Sequence, residues 1–259
     1  MSEPILVRRQ GSAATIVLNR PERLNALDLA SWLRLAEIAG ELDRDEGLRC
    51  ILIRGAGEKA FAAGADISAF ARERGTIEQA RIYGEAMHTA LRAVAECRHP
   101  TVAMIRGVCV GGGLEVASVC DLRIAGQSSR FGVPIKQLGL TMSYRELKGL
   151  IEIVGKAGAL EILLEGQIFG PERALQMGLV NRVVPDDRLE AEAAEAVARI
   201  AEGAPLVARW HKKFVRRLLD PRPLSEAELE EGFASIETED YRIGVEAFLA
   251  KRKPHFTGS

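Results

Sequence analysis

Apolar positions change rhythm along this chain, from short β-branched runs to long stretches at helical spacing. Residues 13–19 (AATIVLN) are apolar and lead to Pro21, which predicts a strand followed by a turn. Asp28 precedes residues 29–42, where Trp32, Leu35, Ile38, Ala39 and Leu42 fall on one helical face; Asp28 is the expected N-cap. Residues 49–54 (RCILIR), stopped by Gly55, predict a buried strand. A glycine-containing loop runs through Phe61 to Asp66, and residues 77–97 predict a second long amphipathic helix. Residues 101–110 (TVAMIRGVCV) predict one buried strand, ended by Gly111, Gly112 and Gly113. An apolar helix over 114–120 and a short strand over 121–125 follow.

The second half is mostly helical. Helices are predicted over 159–164, 171–177, 189–202, 205–219, 226–236 and 238–253, with one strand-like run at 179–184. The proline-rich residues 220–223 are a candidate hinge, and no fixed-period repeat is present. This divides the chain into a strand–helix core, 1–200, and a helical region, 201–259.

Composition narrows the function classes. A chain of 259 residues with 47% hydrophobic and 27% charged side chains can bury a large core, which excludes disordered and fibrous classes. Lys+Arg of 35 against Asp+Glu of 36 leaves no global footprint for nucleic acid. The apolar run 107–117 is too short to span a bilayer and contains Glu115, so no membrane insertion is expected. The start, MSEPILVRRQ, lacks the charged-then-apolar pattern of a secretory leader. Cys50, Cys97, Cys109 and Cys120 form no CxxC pair; reduced, buried thiols in a cytoplasmic protein are expected.

Several chemical signatures are missing. There is no GxxxxGK[ST], HExxH or GxSxG, and His88, His99, His211 and His255 have no ligand spacing, so no metal is expected. Residues 55–60 (GAGEKA) match GxGxxA after a strand. The loop runs on to Gly64 and no acidic residue ends a second strand suitably, so a dinucleotide site is disfavoured.

Two stretches rich in small residues are more informative. In residues 60–67 (AFAAGADI) a ligand can approach the main chain closely, and Asp66 can cap a short helix reaching Phe70. In residues 108–115 (VCVGGGLE) three glycines join a buried strand to an apolar helix, whose start exposes unpaired N–H groups. One N–H from each stretch would make an oxyanion hole for a thioester enolate; alternatively the glycines serve only tight strand–helix packing. Glu115 lies in the first turn of that apolar helix. Burial raises its pKa and the helix start lowers it, so it suits a base near neutral pH, or else serves only the helix dipole.

These residues resemble the crotonase, or enoyl-CoA hydratase/isomerase, superfamily. The similarity takes in Asn19-Arg20-Pro21, Leu24-Asn25-Ala26-Leu27, residues 60–67, Gly107, Gly111 to Glu115 and 120–125 (CDLRIA). It continues through 131–134 (FGVP), 174–184 (ALQMGLVNRVV) and 247–253 (AFLAKRK). The resemblance implies an α/β spiral of ββα units, with a C-terminal helical region that builds trimers, paired as hexamers. It implies an acyl-CoA thioester whose carbonyl oxygen is held by the N–H groups of Ala65 and Gly112, and no cofactor beyond the CoA of the substrate. CoA contacts would come from Arg23, Leu24, Ala26 and the backbone of Ala63, Gly64, Asp66 and Ile67, with Gly111 alongside. Phe248 and Lys251 would reach the CoA of a neighbouring subunit. Glu115 matches the first of two hydratase glutamates.

The second hydratase glutamate is replaced by Ile135, and the following stretch, 136–146 (KQLGLTMSYRE), departs from the family pattern. Loss of one carboxylate removes a general acid–base contribution of about 10²–10⁴-fold. Ser143, Tyr144 and Glu146 are candidates to refill the position. Three functions follow: enoyl-CoA hydration or isomerisation; another enolate reaction such as decarboxylation, racemisation or thioester hydrolysis; or CoA-ester binding with little turnover. The acyl pocket is expected from residues 68–98 and 135–146.

Overall fold

A computed structural model describes residues 3–259. The chain opens with an antiparallel hairpin, β1 (Ile5–Gln10) and β2 (Ala13–Leu18), and helix α1 (Leu29–Asp43). The Asp28 side chain accepts from the Ser31 N–H at 2.9 Å, the N-cap expected at that position.

Three ββα turns follow. The first is β3 (Cys50–Gly55), β4 (Ala60–Ala62), then α2 (Phe70–Glu73) and α3 (Ile77–Glu96). The second is β5 (Thr101–Ile105), β6 (Val108–Val110) and α4 (Gly112–Ser118). The third is β7 (Leu122–Gly126), β8 (Arg130–Gly132) and α5 (Tyr144–Glu165). In each turn the first strand joins a six-stranded sheet, ordered β1-β2-β3-β5-β7-β9, and the second joins a three-stranded sheet, ordered β4-β6-β8. Every pairing between these strands after the opening hairpin is parallel, and one antiparallel bridge joins Phe131 to Phe169. This two-sheet alternation is the spiral.

The corner between sheets corrects the expectation of one strand over 101–110. Gly107 has φ +64°, and a Cβ there would lie 2.0 Å from the Lys59 carbonyl oxygen. The chain therefore turns at Arg106-Gly107 and delivers β6 to the small sheet, although the apolar run reads as continuous.

The remaining elements are α6 (Pro171–Gln176), β9 (Arg182–Val184), α7 (Leu189–Ala201), α8 (Pro205–Leu218), α9 (Glu226–Glu231) and α10 (Glu239–Leu249). One face of the large sheet is covered by α7, whose Leu189, Ala193 and Ala196 pack against Cys50, Val102, Met104 and Ile124. The other side packs with α1 and α3 around Trp32, Leu35, Ile38, Ala90 and Val94. Burial on both faces explains why β3 and β5 are apolar runs without alternation. All four cysteines are buried and unbridged.

Several further readings need correction. The helix expected over 159–164 is the end of α5, which starts at Tyr144 with a Ser143–Glu146 capping box and is broken at Gly155, φ +66°. The helix expected over 226–236 splits into α9 and a 3₁₀ turn, Ala234–Glu237, and the last helix stops at Leu249. Across residues 220–223, Arg217 pairs with Glu228 and donates to the Pro223 carbonyl at 2.9 Å. Beyond α7 the chain leaves large apolar side chains exposed, among them Phe233 (63%) and Phe248 (83%). No helix among the described residues is long and apolar enough to cross a membrane.

Candidate active site

The backbone half of the site is set by a loop that its own side chains hold. Leu24 and Asn25 adopt φ of +52° and +57°, a conformation rare for residues other than glycine. Asn25 is buried and anchors this bend, donating to the carbonyls of Ala56 at 3.0 Å and Ala60 at 2.8 Å. Its Oδ1 accepts from the Arg20 N–H at 3.1 Å. The loop thereby lies beside the second small-residue stretch: Ala63 N–H donates to the Leu24 carbonyl at 2.9 Å, and Leu27 N–H to that of Gly64 at 2.8 Å.

Asp66 ties the two stretches together. Its carboxylate pairs with Arg20 at 2.8 Å and Arg23 at 3.2 Å, and accepts from the Ser68 N–H as the cap of the 3₁₀ turn Ile67–Ala69. Burial works to raise its pKa, but the Ser68 and Arg20 hydrogen bonds, with the charges of Arg20 and Arg23, bring it below the ordinary value. Arg20 also donates to the Ala26 carbonyl at 2.8 Å. Arg23, Leu24, Ala26 and Asp66 thus form one braced unit behind Ala63, Gly64, Ala65 and Ile67.

The glycine stretch closes onto this unit. A Cβ built on Gly64 would lie 2.9 Å from the Val110 carbonyl oxygen and 3.4 Å from the Gly112 nitrogen. Gly111 N–H donates to the Gly132 carbonyl at 3.0 Å, whereas Gly112 is the first residue of α4 and has no intrahelical acceptor. Among the described residues neither the Ala65 nor the Gly112 N–H donates a hydrogen bond. Two residues with unused donors therefore stand on adjacent segments and line one cavity of about 210 Å³.

Glu115 projects from the first turn of α4 into the same cavity. The residue is half-buried, and its Oε2 is enclosed and has no hydrogen-bond partner among the described residues. Burial raises its pKa to about 8; the nearby charge of Glu146 adds to the rise and Arg74 opposes it. A carboxyl group poised near neutrality beside two free donors can move a proton while negative charge collects on an oxygen next to it.

The side-chain half of the cavity comes from α2, the link after it, α3, and the segment that runs into the first turn of α5. Phe70, Arg74, Tyr83 and Met87 line it from one side, and Ile135, Leu138, Leu140, Met142 and Glu146 from the other. Trp32 and Tyr83 form its floor, with the indole N–H donating to the Tyr83 hydroxyl at 2.8 Å and that hydroxyl donating to the Leu27 carbonyl at 3.1 Å. Ile135 faces the cavity as expected. Of the candidates to replace the missing glutamate, Tyr144 is 94% exposed and turned away, while Glu146 lines the wall. Glu146 accepts from the Ser143 N–H, and the Ser143 hydroxyl is hydrogen-bonded to His88 Nε2 at 3.0 Å.

Phe248 and Lys251 lie in and just after α10 and do not line this cavity within one chain. The expected acyl-pocket segment 68–98 contains Arg74 and Tyr83, though neither is singled out by sequence. Trp32 reads only as one more core position of α1, because its approach to the cavity depends on tertiary packing. Among the described residues no cluster of His, Cys, Asp and Glu suited to a metal forms.

A two-sheet spiral with a glycine-bounded cavity and one enclosed glutamate defines a class. A family model described as enoyl-CoA hydratase/isomerase matches residues 8–259, and the chain belongs to that family. It is 33% identical to the "Short-chain-enoyl-CoA hydratase" of Clostridium acetobutylicum over 96% of this chain and 95% of that protein. It is 31% identical to the "Crotonyl-CoA hydratase" of Syntrophomonas wolfei over 98% of each. An enoyl-CoA hydratase/carnitine racemase structure from Magnetospirillum magneticum superposes with TM-score 0.98 at 49% identity, covering 100% of this chain and 97% of that one. The protein is accordingly an enzyme of the hydratase/isomerase type with the crotonase fold.

Proposed function

We propose that the protein acts on an enoyl-CoA thioester, using Glu115 as its acid–base group and the N–H groups of Ala65 and Gly112 as an oxyanion hole. The observation that carries this reading is the coincidence of an enclosed carboxyl group and two unused backbone donors on one cavity wall. The thioester oxygen would accept from both N–H groups. Glu115 as carboxylate would take a proton from carbon, and the C–H electron pair would pass into the carbonyl to give the enolate, whose charge those donors stabilise. Returning the proton to a different carbon completes isomerisation. Hydration instead adds hydroxide from water to one alkene carbon and a proton to the other.

Hydration is served better by two carboxylates, and Ile135 removes one. Glu146 supports a restored pair, because it reaches the same cavity from the capping box of α5. The alternative enolate reactions, decarboxylation, racemisation and thioester hydrolysis, draw on Ile135 and would use the same oxyanion hole. The CoA moiety would run over Arg23, Leu24 and Ala26, with Phe248 and Lys251 of a neighbouring subunit in a trimer or a hexamer reaching it and Lys251 meeting its phosphates. The exposed apolar side chains of α8 to α10 support that assembly. Unbridged cysteines suit a cytoplasmic location.

A panel of enoyl-, 3-hydroxyacyl- and malonyl-type CoA thioesters in deuterated water tests the reading. Hydration, or deuterium exchange with double-bond migration, is the expected result. Decarboxylation would reassign the chemistry within enolate reactions, and binding with no exchange would leave a CoA-ester-binding protein.

A further inference from the structure

Arg74 is the one cationic side chain lining the cavity among the described residues. Its guanidinium lies over two aromatic rings, 4.9 Å from the centre of Phe70 and 4.7 Å from that of Tyr83. Stacking of this kind fixes the plane of the guanidinium but leaves its N–H edges free. Those edges have no use within the chain: among the described residues Arg74 forms no ion pair, and its side chain donates no hydrogen bond. The neighbouring arginines differ. Arg72 pairs with Glu73 at 2.6 Å, and Arg20 and Arg23 pair with Asp66.

The surroundings give the free edge a purpose. Ile67, Ile135, Leu138, Leu140 and Met142 offer an apolar lining that opens to solvent at Ile67, Leu138 and Leu140, and the half-buried cation on the same cavity has no ion-pair partner among the described residues. The two carboxyl groups on the cavity are otherwise placed: Glu146 caps α5 and Glu115 stands at the free donors without pairing to Arg74. A planar donor fork in apolar surroundings matches a carboxylate, which accepts two parallel hydrogen bonds and supplies the missing charge.

We propose that Arg74 receives a carboxylate at the far end of the acyl group, so that the preferred substrates are CoA thioesters of dicarboxylic acids rather than of plain fatty acids. This rests on the reading above that the acyl group occupies the cavity. Arg74 then acts as a specificity residue for the distal end of the substrate, apart from proton transfer at Glu115.

The test has a binding arm and a kinetic arm. Calorimetry compares succinyl-, glutaryl- and adipyl-CoA with butyryl-, pentanoyl- and hexanoyl-CoA on the wild type, Arg74→Met and Arg74→Lys, each first shown to be folded by its melting curve. Expected is a preference of about tenfold or more for at least one dicarboxylic member over its plain partner. Arg74→Met should abolish that preference while keeping plain-chain affinity within about threefold, and Arg74→Lys should keep part of it. The kinetic arm repeats the comparison with hexenoyl-CoA and its ω-carboxy counterpart and reads the split in kcat/KM. Equal binding of both series by the wild type, or an equal loss on both in Arg74→Met, overturns the proposal. If no CoA thioester binds, the wider reading fails with it. If the plain series binds and turns over without a carboxylate preference, only the role of Arg74 fails.

Discussion

The cavity has two halves built in opposite ways. Residues 60–67 and 108–115 supply backbone: small side chains, bends held by Asn25 and Asp66, and N–H groups left over from strand and helix ends. Residues 68–87 and 134–146 supply side chains: rings, methionines, an unpaired arginine and a capping glutamate. In the proposed function, the first half would meet the charge that a thioester enolate develops and so set the type of chemistry. The second half would meet what differs between acyl groups and so set which thioester is taken. Glu115 belongs with the first half by position and owes its raised pKa to enclosure by both.

The largest effect expected from this division is at Glu115. Glu115→Gln keeps size and hydrogen bonding but cannot accept the proton, and turnover on the best substrate should fall about 10²-fold or more with little change in CoA affinity. Turnover within a few-fold of the parent would move the base into the side-chain half, with Glu146 next in line.

The same residue sets the pH response. With a pKa of about 8 in the free protein, Glu115 acting as base makes kcat/KM rise about tenfold per pH unit below 8 and level off above it. Stability runs the other way. The folded value lies above the ordinary 4.5, so the folded state holds a proton that the unfolded chain releases between these values. The contribution of Glu115 to stability is therefore full below about 4.5 and is lost as pH rises through about 8. Glu115→Gln should gain on the order of a few kcal/mol relative to the wild type at pH 8.5 and nothing at pH 4, read from paired thermal melts. A gain that does not depend on pH would show that Glu115 titrates normally.

A smaller effect is expected at Ile135, on the border of the halves. Ile135→Glu restores a second carboxylate to the cavity wall and should raise hydration by about tenfold, measured as loss of the enoyl absorbance. No gain would indicate that Glu146 already fills the role or that the backbone there follows another path. The smallest effect is at the rim. Lys251→Ala should weaken CoA by about threefold in calorimetry, and only in a protein that light scattering shows to be trimeric or larger.

The two halves also differ in how far sequence reveals them. The strands β2, β3, β5 and β7, the helices α1 and α3, and the caps at Asp28 and Asp66 follow from apolar spacing and local hydrogen bonding. Gly111, Gly112 and Glu115 stand out in sequence as a glycine run before an apolar helix with one acid in its first turn, a pattern that tight packing would also explain and that only the family resemblance singles out. The three-residue strands β4 and β8 are too short to show a period. The break at Gly107 is set by Lys59, far away in sequence, which is why 101–110 reads as one strand. Arg74, Tyr83 and Trp32 converge only when α1 and α3 pack, and nothing in their neighbours announces it. Glu146 reads as a candidate for the cavity wall, but its role in the capping box of α5 is not legible, because no helix is expected over 144–158.

The corner at Gly107 and the alternation it produces have a consequence for how such a molecule can change. Strands β4, β6 and β8 form one parallel ladder, while residues 67–100 and 133–181 lie outside it and lead to β5 and β9 of the large sheet. These excursions are interchangeable parts. Their length and side chains can be rewritten without altering the register of Ala65 against Gly112, because β4, β6 and β8 set that register. New acyl selectivity can then arise through one loop at a time, each intermediate keeping its proton-transfer machinery, and a transplanted 67–87 segment should carry its substrate preference with it.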